Sequence, residues 1–186
     1  QHAGAYVMAA AEVCLATGRA EAAVAHVDRI IGQSGAQGAL LWHLRAVGLE
    51  LGGKIEEAQQ AYEKAVRQGG HALFFRAEFA EYALRHQRAL EEAEHHIFDT
   101  CMSCQATQPG AEELDFYGFL LTRLQHARGE LQAALKGIDR LLAKAPPREL
   151  DQALRGLRRR VLAEIQAGQR LQDQDDAAQG DGDARE

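Results

Sequence analysis

The stretch HHIFDTCMSCQ is where this chain comes nearest to chemistry, because His95 and His96 precede Cys101 and Cys104 and a Cys-x-x-Cys pair is a zinc or redox spacing. Tetrahedral zinc needs four ligands. If a helix persists through the segment, Cys101 and Cys104 share a face with Ile97, and both histidines are awkward to bring round to them. The chain has no second Cys pair, and the motif lacks the βαβ setting that places a redox thiol at a helix N-terminus. Structural cysteines are the first reading of Cys101 and Cys104, with a disulfide or redox pair and a metal site left open behind it. Cys14 reads as a core thiol.

Nothing else in the chain assembles a reactive set. His2, His26, His43, His71, His86 and His126 are scattered, without the i, i+4 pair and intervening glutamate of a zinc protease. Ser34 and Ser103, the only serines, sit in no nucleophile-elbow context, and the glycine pairs 52/53 and 69/70 are followed by no phosphate-loop lysine and hydroxyl. Glu56 with Glu57, and Glu91 with Glu92, fit the solvated first turn of a helix, where negative charge suits the dipole. The expectation is of no enzyme, no catalytic residues, no metal ligands and no cofactor.

The elements that would carry these residues follow from a repeated marker. Gly18 and Ala23, Gly53 and Ala58, Arg88 and Ala93, and Gly129 and Ala134 share one five-residue spacing, and each pair falls between two helix-like apolar patterns. The step between the alanines is 35 residues twice and then 41. In the second copy Leu41, Leu44, Gly48 and Leu51 run along a first helix, and Ile55, Ala58, Tyr62, Ala65 and Val66 make a stripe on a second. Ala46, Ala58 and Ala65 are small enough to let helices approach closely, and one methylene too many there would cost about 1–3 kcal/mol. Two-helix units in series predict an all-α fold, an α-solenoid.

The run from Leu41 to Gly70 resembles the tetratricopeptide repeat (TPR) family, whose period is about 34 residues. Trp42, Ala46, Leu49, Gly53, Ala58, Tyr62 and Ala65 stand at signature places, while Arg45 departs from the family's leucine and is expected to lay its stem along the core with its head in water. The first copy matches through Ala11, Cys14, Gly18, Ala23, Val27 and Ile30. The third is weaker, with Glu81 where a small residue is usual, and the fourth recovers through Gly129, Leu131, Ala134, Ile138, Leu141 and Pro146. Repeats are expected at about 4–35, 39–70, 72–104 and 114–146 within a solenoid of residues 1–170. A cap helix is expected at 147–168, with the stripe Leu150, Leu154, Leu157, Val161 and Ile165. From Leu171 to Glu186 the chain gathers five aspartates and loses apolar periodicity, which predicts an acidic disordered tail. Pro109 and Gly110 mark an insertion between Cys104 and Glu113.

In the TPR family the first helix of each pair lines a concave groove, so the resemblance implies a protein or peptide partner meeting particular positions. They are Met8 and Glu12; His43, Val47 and Glu50; Glu78, Tyr82 and Arg85; and Phe119, Arg123 and His126. The lysine and asparagine with which chaperone-binding adaptors grip a C-terminal carboxylate are replaced here by Met8 and Glu12. An amphipathic segment held by apolar anchors and oriented by charge is expected instead. A formal charge of −6 argues against a nucleic-acid partner, and no run of 18 apolar residues predicts membrane insertion.

The first residue is Gln1, so the sequence reads as a processed or excised segment, and an uncapped first helix predicts a homodimer or a missing upstream repeat at that end. The leading expectation is a non-catalytic scaffold or adaptor, similar to bacterial TPR proteins that assist assembly of envelope machines such as secretion systems, pili or exopolysaccharide exporters. The alternative is a regulatory module of a larger signalling or transcription-related protein, with a thiol- or metal-dependent enzyme a third. The compartment, bacterial cytoplasm or periplasm, is not encoded in the residues.

Overall fold

Glycine turns and apolar stripes at three- and four-residue steps produce helices in series. The computed structural model describes residues 2–34, 38–70, 72–107 and 111–180, with backbone alone for 2–8, 33–34, 101, 103–107, 111–113, 173 and 175–180. These residues form α1 (His2–Ala16), α2 (Ala20–Ser34), α3 (Ala39–Leu51), α4 (Ile55–Gly69), α5 (Leu73–His86), α6 (Leu90–Thr107), α7 (Ala111–Ala127), α8 (Leu131–Leu142) and α9 (Arg148–Gly180). No strand occurs among them. Two compact units divide the chain, residues 1–96 and 97–186.

In the first unit consecutive helices from α1 to α5 pack on one another, and α1 also touches α3. Ala11, Ala23, Ala46 and Ala58 are fully buried where helices cross. At Gly48 an added Cβ would lie 2.8 Å from Cγ2 of Val24, which shows how close α3 comes to α2. Trp42 is half-buried, with Lys64 Nζ 4.3 Å from its ring centre. Arg45 runs its stem inward, and its Nε reaches Asp28 Oδ1 at 2.7 Å.

The turns correct the repeat marker. Gly18, Gly53 and Gly129 have φ of 73°, 75° and 78°, the left-handed region that glycine enters without a Cβ penalty. The next residue in each case donates its N–H five residues back: Arg19 to Cys14, Lys54 to Leu49, Glu130 to Gln125. In the third turn the same bond runs from Arg88 to Ala83, so Gln87, not Arg88, takes the glycine's place, at φ 53°. One extra residue follows, and Ala89, at φ 49°, accepts the bond that opens α6. The first helix of the third copy is therefore shifted by one residue from the register that its marker pair predicts. Ala80 rather than Glu81 fills the small buried position, and it is fully buried.

The second unit contains the rest of α6, with α7 packed on α8, α8 on α9, and α7 touching α9. The insertion expected between Cys104 and Glu113 is taken up largely by helix, because α6 runs to Thr107 and α7 starts at Ala111; residues 108–110, with Pro109 and Gly110, lie outside the described set. The apolar stripe of α9 lies against Ala134, Ile138 and Leu141 of α8. Past Ile165 the described side chains are exposed, Leu171 at 63%, yet the helix continues to Gly180 and so into the stretch read from sequence as a tail. Residues 181–186 lie outside the described set.

Candidate functional site

The seam between α3 and α5 holds a polar network centred on Glu50. Glu50, at the end of α3, accepts two bonds from Arg85, Nε to Oε1 at 2.8 Å and Nη2 to Oε2 at 3.0 Å. Tyr62 of α4 donates its hydroxyl to Oε2 at 2.8 Å, and His86 Nε2 lies 2.8 Å from Oε1. A carboxylate only accepts, so the His86 proton sits on Nε2. Tyr82 donates to the Ile55 carbonyl at 2.8 Å, tying α5 to the first turn of α4. Its ring lies 5.0 Å from that of Tyr62 and 5.0 Å from that of His86.

These contacts set the charge states. Burial pushes the Glu50 carboxyl up, but hydrogen bonds from Arg85, His86 and Tyr62 outweigh it and hold the pKa below the ordinary carboxylate value. Glu78, one turn before Tyr82, meets the opposite balance. Desolvation raises its pKa first, Arg85 pulls it down, and Glu81 and Glu50 push it up again, for a net rise. Burial also lowers the His43 pKa, and its Nδ1 has no hydrogen-bond partner among the described residues. Three aromatic rings surround it, with Phe74 nearest at 4.9 Å between centres and Tyr62 and Phe75 each at 6.0 Å.

Several residues expected to face a partner are thus structural. Tyr82, expected as an exposed anchor, is fully buried, and the one-residue shift of the third copy is the reason: it stands where α3 has Gly48, on the flank turned to the neighbouring helix. His43 is 8% exposed and belongs to the seam. Glu50 and Arg85 are brought together and occupy one another. Val47 and Glu78 are half-buried, Glu12 is exposed, and the Met8 side chain lies outside the described set.

A face beside this seam joins Val47, Glu78 and Arg85 of the sequence reading to apolar residues that reading did not place there. Leu40, Val47 and Leu51 fall at i, i+7 and i+11 on one side of α3, the first and last of them exposed, Leu51 at 61%. Phe74 on α5 stands at the position equivalent to Leu40 and is 52% exposed. Glu78, Glu81 and Arg85 continue the same side of α5. The α3 stripe read from sequence ran through Leu51, and the structure buries Leu41, Leu44 and Gly48 of it but leaves Leu51 exposed.

In the second unit two of the expected residues, Phe119 and His126, meet α8 or α9. Phe119 packs against the α8–α9 cluster, Arg123 lies 5.6 Å from the Phe119 ring centre, and His126 Nε2 is 2.9 Å from Glu164 Oε1. Cys14 is a buried free thiol. Cys101 and Cys104 lie on α6 with their side chains outside the described set. Among the described residues no three His, Cys, Asp or Glu side chains gather to hold a metal, and no helix is long and apolar enough to cross a membrane.

Helix pairs joined by left-handed turns and seamed through their first helices define a TPR-like α-solenoid fold. Among solved structures, a kinesin light chain-like protein of Podosopora anserina with nearly identical TPR-like repeats is similar to this chain, with a TM-score of 0.69, 17% identity, and coverage of 95% of this chain and 94% of that one. A single-substitution variant of the same protein gives 0.68, 18%, 95% and 94%. No family model and no curated protein matches the sequence.

Proposed function

We propose that this chain is a non-catalytic interaction module that binds an extended or helical segment of a partner protein across the α3/α5 face of its first unit. The observation that carries this reading is the row of exposed apolar side chains, Leu40, Leu51 and Phe74, fixed beside the desolvated carboxylate of Glu78. Among the described residues Glu78 has neither an ion pair nor a hydrogen bond. A partner suited to this face carries apolar anchors about two helical turns apart, or about 11 Å on a helix, and a Lys or Arg between them. The apolar contacts supply affinity, and the cation fixes direction. Assembly of a bacterial envelope machine is the setting to which the sequence resemblance points.

Peptide-display selection against the native chain and against a Leu51→Asp, Phe74→Ser variant tests this function, with circular dichroism as the control for folding. Enrichment of apolar segments containing a cation by the native chain alone is the expected result. Equal enrichment by both, or none by either, would remove the face from consideration.

A further inference from the structure

Between α7 and α8 of the second unit runs an open groove of about 420 Å³, separate from the positions to which the family resemblance points. Leu114, Gly118, Leu121 and Gln125 line it from α7, and Ala133, Gly137 and Leu141 from α8, with Phe98 of α6 at the rim. Its floor is shallow because two glycines bring the helices together. A Cβ at Gly137 would meet Thr122 Cγ2 at 2.6 Å, and one at Gly118 would meet Leu141 Cδ2 at 3.1 Å. Phe98 is 50% exposed, and Met102, one turn on, is exposed as well. From Leu114 to Gln125 the groove is about 17 Å long at 1.5 Å per residue, the reach of three helical turns.

Lys144, in the turn past the end of α8, edges this groove together with Lys136 and Arg140, which stand at i and i+4 on α8. Like charges at that spacing destabilise a helix by about 0.2–0.5 kcal/mol per pair. Lys144 is neutralised by Asp115 at 2.7 Å. Lys136 and Arg140 make no ion pair among the described residues, and Lys136 sits mid-helix, where the dipole gives it no compensation. Among the described residues the chain thus holds an apolar trough beside two cations without an ion pair, of which Arg140, in the last turn of α8, is favoured by the helix dipole.

We infer that this groove is a second docking site, and that its occupant is an acidic amphipathic helix of a partner protein, with leucine-like side chains on Phe98, Leu114 and Leu121 and carboxylates on Lys136 and Arg140. The inference is independent of the α3/α5 reading, since the two faces share no residue and fit partners of opposite charge.

The test is fluorescence anisotropy with a labelled synthetic 14-residue helix carrying leucine at i, i+4, i+7 and i+11 and glutamate along one flank. The full chain is compared with Phe98→Ser, with Lys136→Glu/Arg140→Glu, and with the milder Lys136→Gln/Arg140→Gln, all checked by circular dichroism. Saturable binding that weakens at least tenfold in the first two variants, and severalfold in the third, is expected. A probe with serine in place of leucine should bind at least tenfold more weakly, and Leu51→Asp, Phe74→Ser should leave binding unchanged. No saturable binding by the native chain, or equal binding by the groove variants, would overturn the site. Two further results would overturn the occupant: a single-stranded oligonucleotide binding the groove more tightly than the peptide, or self-association in sedimentation that the groove variants abolish.

Discussion

The α3–α5 seam of the first unit and the α7–α9 seam of the second use equivalent positions and fill them with opposite chemistry. Where α3 places His43, a buried ring whose Nδ1 has no partner among the described residues, α7 places Phe119, packed into an aliphatic cluster. At the next equivalent position Glu50 takes bonds from three side chains and is 13% exposed, whereas His126 faces a single Glu164 that is 51% exposed. The first seam is held by the hydrogen bonds that converge on Glu50, with His43 Nδ1 left unmatched among the described residues, the second by volume with an ion pair at its edge. A polar seam fixes one geometry but makes stability depend on single hydrogen bonds and on pH. An apolar seam tolerates pH and is sensitive to cavities.

The comparison breaks most visibly through volume. Leu154→Ala, in the fully buried α8–α9 cluster, is expected to cost about 2–5 kcal/mol in urea unfolding, with no change in pH dependence. Glu50→Ala comes next, at about 1.5–3 kcal/mol, because Arg85, Tyr62 and His86 all lose their acceptor. Glu50 has a lowered folded pKa, so its contribution is present above pH 4.5 and is lost as pH falls through that lower value. Urea midpoints of Glu50→Ala should therefore fall less steeply than those of the native chain below pH 4.5.

His43→Phe carries the second seam's solution into the first. It is expected to stabilise by up to about 1 kcal/mol, since an orphaned buried nitrogen disappears. A lowered His43 pKa means that the unfolded chain binds the extra proton first, so native stability is lost as pH falls below 6.5 toward the folded value. The variant should lack that acid loss in thermal melts. Gln87→Gly places glycine in the third turn, as in the other three, and is expected to add about 0.5–1 kcal/mol. Glu164→Ala should change stability by less than about 0.5 kcal/mol, the size of an exposed pair.

Much of this fold is legible in the chain, because glycine turns and apolar stripes are local: Gly18, Gly53 and Gly129 take the conformations their spacing implies, and the stripe from Leu150 to Ile165 packs as its period predicts. The third turn was misread because Gln87 and Ala89 enter the left-handed region without being glycine. That one-residue slip moved Tyr82 from an expected surface to the interior. Periodicity tells which side of a helix a residue takes, but not whether another helix covers that side, so it could not show that His43 is buried or that Phe119 and His126, half-buried, pack on or pair with α8 or α9. The Glu50 network joins residues 35 and 36 positions apart, which no local pattern can show.

The claim that the α3/α5 face takes a partner is tested most directly by a photo-crosslinking amino acid placed at position 51, with position 60, exposed on α4, as the control, in the native host. A discrete partner band at 51, absent at 60 and lost when Phe74→Ser is added, is the predicted result. No band at 51, or the same band from both positions, would contradict the account.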